Sequence, residues 1–181
     1  MKDDQEPCAW TTQQAEAIHR MHEGGGASGV AQVEQLAGKS GRAILEAMMS
    51  GELPYPPMNE TMNMTLLEVG DGQAVFQGIP LPKHYNPMGS VHGGWFATLL
   101  DSALGCAVQT TLPAGRSYTT VGLNINLVRP ASQSTGPLRA IATAIHRGGQ
   151  MLTAEARVAD QQGKVYAHAT TTCFVFKTSS A

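Results

Sequence analysis

One stretch decides what this 181-residue chain can become. Behind Asn86-Pro87-Met88-Gly89-Ser90-Val91-His92-Gly93-Gly94 comes a run, residues 95–108, that is apolar on almost every side and carries a single carboxylate, Asp101. A helix of that kind has to be surrounded by the rest of the chain. An ionised carboxylate within it is costly unless something pairs it or uses it. Thr98, Asp101, Ser102 and Gly105 recur at i, i+3, i+4 and i+7, so the polar and smallest side chains share one face. The expectation is a buried helix with a narrow polar stripe, and the stripe is a candidate site.

Spacing adds a second constraint. His92 and Asp101 are two and a half helical turns apart, which separates them by roughly 13 Å along the axis and turns them to opposite faces. They cannot meet on one substrate within one chain. If both serve the same site, a second copy of the helix, antiparallel to the first, must bring the carboxylate. The spacing therefore predicts a two-fold homodimer with sites at its interface.

Composition narrows the remaining classes. The net charge is −2, and no basic cluster is dense enough for nucleic acid or an anionic membrane surface. No segment approaches the ~20 apolar residues of a membrane span, and the first residues lack the apolar core of a signal peptide. Cys8, Cys106 and Cys173 have neither CxxC nor metal-ligand spacing, so they read as small residues of a reducing cytosol. His19, His22, His84 and His168 show no ligand spacing either. A cytoplasmic protein without a metal or cofactor is expected.

Along the chain, residues 11–22 read as a helix capped by Thr11 or Thr12, with Ala15, Ile18 and His22 as its periodic positions and Met21 alongside. Residues 29–37 suggest a short second helix. Ser40 caps a stronger one carrying Ile44, Leu45, Met48 and Met49, with Gly51 as its stop. Leu53-Pro54-Tyr55-Pro56-Pro57 reads as a stiff extended linker, dividing an N-terminal helical extension, 1–53, from a folded domain, 54–178. Strands follow at 62–69 and 73–79 about an Asp71-Gly72 turn. After a loop at 80–88 comes the helix, 91–109, and then strands at 117–128, 138–147, 151–160 and 164–176. An antiparallel sheet of this length must bury its apolar face, and the helix is the element long and apolar enough to fill it. The class is α+β, a sheet wrapped around one long central helix.

The ordered set Asn86-Pro87-Met88-Gly89-Ser90-Val91-His92-Gly93-Gly94, Asp101, Thr119-Thr120 and Arg129-Pro130-Ala131 resembles the hotdog-fold thioesterases of the phenylacetate-degradation (PaaI) type. The closing run Ala167-His168-Ala169-Thr170-Thr171-Thr172-Cys173 is similar to that family as well, so the resemblance spans about residues 54–177. It implies a hotdog fold and hydrolysis of an acyl thioester, of coenzyme A or of acyl-carrier protein, by a homodimer or a dimer of dimers. Coenzyme A is then part of the substrate, and neither nucleic acid nor membrane is a partner.

The resemblance also implies roles. The amide of Gly93, at the first helical turn, suits an oxyanion donor. Asp101 would activate water or attack the carbonyl itself. Asn86 would hydrogen-bond the water or the carboxylate, or simply form a turn before Pro87. His92 would orient the loop, with a general base as the other possibility. Thr120, with Thr119 as fallback, would line the site opposite Asp101. Gly94 would contact substrate. Trp95, like Phe96, Leu99 and Leu100, reads as core by default, with Met88 and Trp95 as the alternative lining of an acyl pocket. Arg147 would meet the nucleotide phosphates or stand as a solvated hairpin residue. Many relatives carry an acid where this chain has Gly122. A non-catalytic acyl-CoA-binding module is the alternative reading. A hotdog hydratase would want an Asp/His pair close together at one helix start, which is not found here.

Overall fold

The structure, a computed structural model, describes residues 9–178; Cys8 lies outside them. Four helices lead the chain: α1 (Ala9–Glu23), α2 (Val33–Leu36), α3 (Gly41–Ser50) and α4 (Met58–Met62). Strands β1 (Met64–Gly70) and β2 (Gln73–Gly78) precede the central helix α5 (Gly93–Gln109). Then come β3 (Arg116–Leu127), β4 (Leu138–Arg147), β5 (Met151–Ala159) and β6 (Val165–Lys177). The sheet is antiparallel throughout, in the order β1-β2-β4-β5-β6-β3.

The sheet wraps α5 because its inner face is built from small side chains. Ala140, Ala142, Ala154, Ala156, Ala167 and Ala169 alternate inward along β4, β5 and β6, and all are buried. They let the helix come close, and Leu99, Leu100, Leu104 and Val108 fill the space at no more than 1% exposure. Each such side chain contributes about 1.5–3 kcal/mol by leaving water. The half-buried residues of α5 include Thr98, Asp101, Ser102, Cys106 and Gln109. This is the stripe read from the sequence, extended by one turn.

The N-terminal segment departs from its expected pattern in three places. The buried face of α1 is Gln14, Ala17 and Met21, whereas Ala15 and His22 are exposed. The reason is a polar anchor. Gln77 on β2 and Arg139 on β4 pair across the outer face of the sheet. Gln77 donates to Gln14 Oε1 (2.8 Å) and to Trp10 O (2.7 Å), and accepts from Arg139 Nε (2.9 Å). The Arg139 guanidinium lies 4.1 Å over the Trp10 ring. Helix α1 is thus seated by polar residues that an apolar-periodicity count does not register.

Helix α3 starts and stops as expected: Ser40 Oγ accepts from Ala43 N (3.3 Å), and Gly51 donates to Met48 O. Helix α2 is a single turn, shorter than the expected 29–37. The linker is no spacer. Leu53 and Tyr55 are buried, and the Tyr55 backbone bonds to Ala27 and Gly29. Pro57 then leads into α4, which Asn63 ends in the left-handed conformation (φ 51°), so β1 begins at Met64 rather than 62.

The two sheet edges differ. Helices α1 and α3 pack against β1 and cover that edge. At the other edge β3 exposes Val121, Leu123 and Leu127, and Val128 just beyond its end is exposed too. Replacing Gln77 by Leu removes the hydrogen bonds it makes to Gln14, Trp10 O and Arg139, and should cost about 1–3 kcal/mol. Hydrogen exchange should show faster exchange in α1 while α5 stays protected; equal exchange in α1 of both proteins contradicts the anchoring role.

Candidate active site

The loop before α5 is a turn that Asn86 holds. Its Oδ1 accepts from Met88 N (2.9 Å) and Ser90 N (3.3 Å), and its Nδ2 donates to Ser90 Oγ (3.0 Å). The turn-forming alternative for Asn86 is therefore realised, and the side chain spends most of its capacity locally. Met88 rides the tip at 88% exposure.

His92 caps the helix. Its Nδ1 accepts from Gly94 N (2.8 Å), and its own N–H donates to His84 O (2.8 Å). With Nδ1 as acceptor, the ring proton belongs on Nε2. The imidazole then has no free lone pair with which to act as a base. The Gly94 amide is consumed by the same bond, so Gly94 offers substrate no donor. Gly93 differs: it is the first helical residue, beyond the reach of any intrahelical carbonyl, at the positive end of the helix dipole. A Cβ at Gly93 would come within 2.7 Å of Leu127 Cδ1, the tip of an exposed side chain that can swing aside.

Asp101 is held from β3. Thr120 Oγ1 donates to Asp101 Oδ1 (3.1 Å). Thr120 pairs with Cys173 and faces inward, and the strand bulges at the next residue, Val121. Thr119 alternates outward opposite Phe174 and is exposed, so the fallback assignment fails on strand geometry. Gly122 also faces outward, toward Thr172. An acid there would lie on the far face of the sheet from Asp101.

The surroundings of Asp101 stay neutral. Burial first, and then the Asp101 charge, pushes the Cys106 thiol up to about 12. Tyr118 is raised well above its ordinary value by burial and then by Cys106, Cys173 and Asp101. Burial likewise raises Cys173, against hydrogen bonds with Thr171 and Thr120 that pull it down. Neither thiol nor phenol is placed to serve as a nucleophile or base, which leaves the carboxylate. Cys106 and Tyr118 escaped the sequence reading. The available signal was Gly105: a Cβ there would lie 2.1 Å from the Tyr118 hydroxyl, so the stripe narrows to admit that ring.

Two candidate substrate contacts lie elsewhere. Trp95 is 2% exposed, donates Nε1–H to Met62 O (2.8 Å) and meets Phe96 edge-on at 5.3 Å; it belongs to the core. Arg147 pairs with Asp71 through Nη1 (2.8 and 3.0 Å) beyond the C-terminal end of α5, about 25 Å of helix from Gly93. Among the described residues no cluster of His, Cys, Asp or Glu could hold a metal ion, and no helix is long and apolar enough to cross a membrane.

Comparison with known proteins agrees with this geometry. The family model for the thioesterase superfamily matches residues 88–167, starting after the N-terminal helices. A phenylacetic acid degradation-related protein from Ralstonia eutropha JMP134 superposes with a TM-score of 0.66 at 30% identity, covering 72% of this chain and 98% of that one. The chain is 29% identical over 108 residues to a 1,4-dihydroxy-2-naphthoyl-CoA hydrolase of Listeria monocytogenes, 60% of this chain and 86% of that protein. A Halobacterium salinarum protein named as an esterase is 39% identical over 80 residues, 43% of this chain and about half (51%) of its own length. By sequence and by fold, the chain belongs to the thioesterase superfamily and has its hotdog architecture.

Proposed function

We propose that the protein hydrolyses acyl-CoA thioesters to the free acid and CoA, as a cytoplasmic homodimer with its sites between subunits. The observation that carries this is Asp101, held by Thr120 on the one stripe of α5 that the chain leaves half open. The same helix presents the Gly93 amide about 12 Å away along the axis, too far to share a carbonyl with that carboxylate. A second, antiparallel α5 removes the distance. The open β3 edge with its exposed apolar side chains supports such pairing, and the exposed Ile145, Met151 and Phe176 support a further dimer-of-dimers contact. The hydrolase activity named for the Listeria relative supports CoA as carrier; an acyl-carrier protein presents the same thioester.

In the reaction, Gly93 N–H polarises the thioester carbonyl. Asp101 of the second copy takes a proton from water as the water oxygen bonds to the carbonyl carbon, or bonds to that carbon itself to form an acyl-enzyme that water then cleaves. Thr120 fixes Oδ1, leaving Oδ2 for the chemistry. The carbon–sulfur bond breaks and CoA leaves as the thiol, with the proton returned to sulfur. The outward position of Gly122 means that the missing acid takes nothing from this arrangement.

Crossed mutants test the shared site. Asp101→Ala removes the carboxylate, and Gly93→Pro removes the amide proton at a helix position that tolerates proline. Each alone should lose at least about a hundredfold in kcat. Mixed in equal amounts and allowed to exchange subunits, they should regain roughly a quarter of wild-type activity, because half the dimers then hold one intact site. No recovery after verified exchange sinks the cross-subunit arrangement.

His92 gives a second test. Asparagine caps helices as well as any residue, so His92→Asn should keep more than about half of kcat/KM, while His92→Ala should lose about 0.5–2 kcal/mol of stability. Equal inactivity of the two variants would make His92 a chemical participant instead.

A further inference from the structure

The stripe of α5 is open beside Asp101 and roofed beyond it. Over its C-terminal half, α1 and α3 wall a half-open cavity of about 530 Å³ that Cys106, Gln109 and Tyr118 floor. Its walls are mostly apolar, with Ile18 and Met21 from α1, Ile44 and Met48 from α3, and Leu66 and Phe76 from the sheet, while Asn59, Glu60 and Asn63 also line it. The family model begins at residue 88, so much of this wall comes from sequence outside the matched thioesterase core.

Two observations join the cavity to the proposed reaction centre. Cys106 and Tyr118 line it, and both feel the charge of Asp101. The Tyr118 hydroxyl fills the space over Gly105, one helical turn past Asp101, so this ring is the boundary between the carboxylate and the cavity. The anchoring of α1 through Gln14, Gln77 and Arg139 holds the roof in place. An enclosure of this size with a mostly apolar lining is what a small-molecule pocket requires, and the flexible methionines adapt to different chain shapes.

We propose that this cavity receives the acyl chain of the substrate, and that the N-terminal helices thereby select apolar acyl groups of medium to long length. The inference rests on the acyl-CoA reading above for its chemistry. At about 30 Å³ per methylene-sized unit, and allowing for imperfect packing, the volume suits a chain of roughly ten carbons. The chain would enter by displacing the Tyr118 ring, with its carbonyl at Asp101 and its tail between α1 and α3.

The test fills the cavity from two independent helices, with Met48→Trp and Ile18→Trp in the full-length protein. Release of CoA thiol is followed with dodecanoyl-CoA and butanoyl-CoA, and dodecanoate binding is titrated calorimetrically. Wild type should prefer dodecanoyl-CoA by about tenfold or more in kcat/KM, and a folded filled variant should lower that ratio by about tenfold. Dodecanoate should bind wild type at one per subunit and bind the variants at least about tenfold more weakly. An unchanged ratio in a folded variant, or no dodecanoate binding to wild type, overturns the proposal. Should wild type cleave no acyl-CoA at all, the hydrolase reading fails, and the dodecanoate titration alone still decides the pocket.

Discussion

Helix α5 is too apolar to face water and carries a charge it cannot bury, and the architecture follows from reconciling the two. The alanine-faced strands β4, β5 and β6 take up Leu99, Leu100, Leu104 and Val108, which removes most of the helix surface from solvent. What they cannot enclose is the side bearing Asp101, because an unpaired carboxylate in a dry core would cost several kcal/mol. The curled sheet therefore leaves a seam along that side. A single donor, Thr120, reaches in from β3. The site is the part of the core that desolvation forbids the chain from closing by itself.

The central element and its stripe were legible in the sequence because periodicity reports burial directly. The stripe of Thr98, Asp101, Ser102 and Gly105 needed only helical spacing to be read. The succession of strands along the chain followed from turn residues such as Asp71-Gly72, which closes the β1–β2 hairpin. Polar burial was not legible. Gln14, Gln77 and Arg139 look like surface residues one at a time, and it is their hydrogen bonds to one another and to Trp10 O, Thr65 and Gln13 that make burial tolerable. Trp95, which lies beside the motif in sequence, points its indole at Met62 O in the core, as the default reading expects and against the pocket alternative. Adjacency to a motif carries no information about which way a helical side chain faces.

His92 shows how local geometry separates roles that sequence leaves together. A histidine before Gly-Gly at a helix start suits a base, a cap or a loop anchor equally well. The 2.8 Å bond from Gly94 N to Nδ1 commits the ring as an acceptor and takes the Gly94 amide out of play. One hydrogen bond thereby distinguishes the two glycines, leaving Gly93 with the amide at the end of the dipole.

The two edges of the sheet are handled by different means, and the difference connects assembly to chemistry. An uncovered strand edge invites pairing with whatever strand it meets. On the β1 side, the N-terminal helices answer that liability within the chain, and the Arg139–Gln77–Gln14 bonds hold them there. On the β3 side no described segment of the chain does so, and this edge adjoins the seam where Asp101 waits and where Leu127 crosses Gly93. Covering β1 in cis leaves β3 as the exposed edge, and in the proposed dimer that is the edge beside which a second copy completes the site.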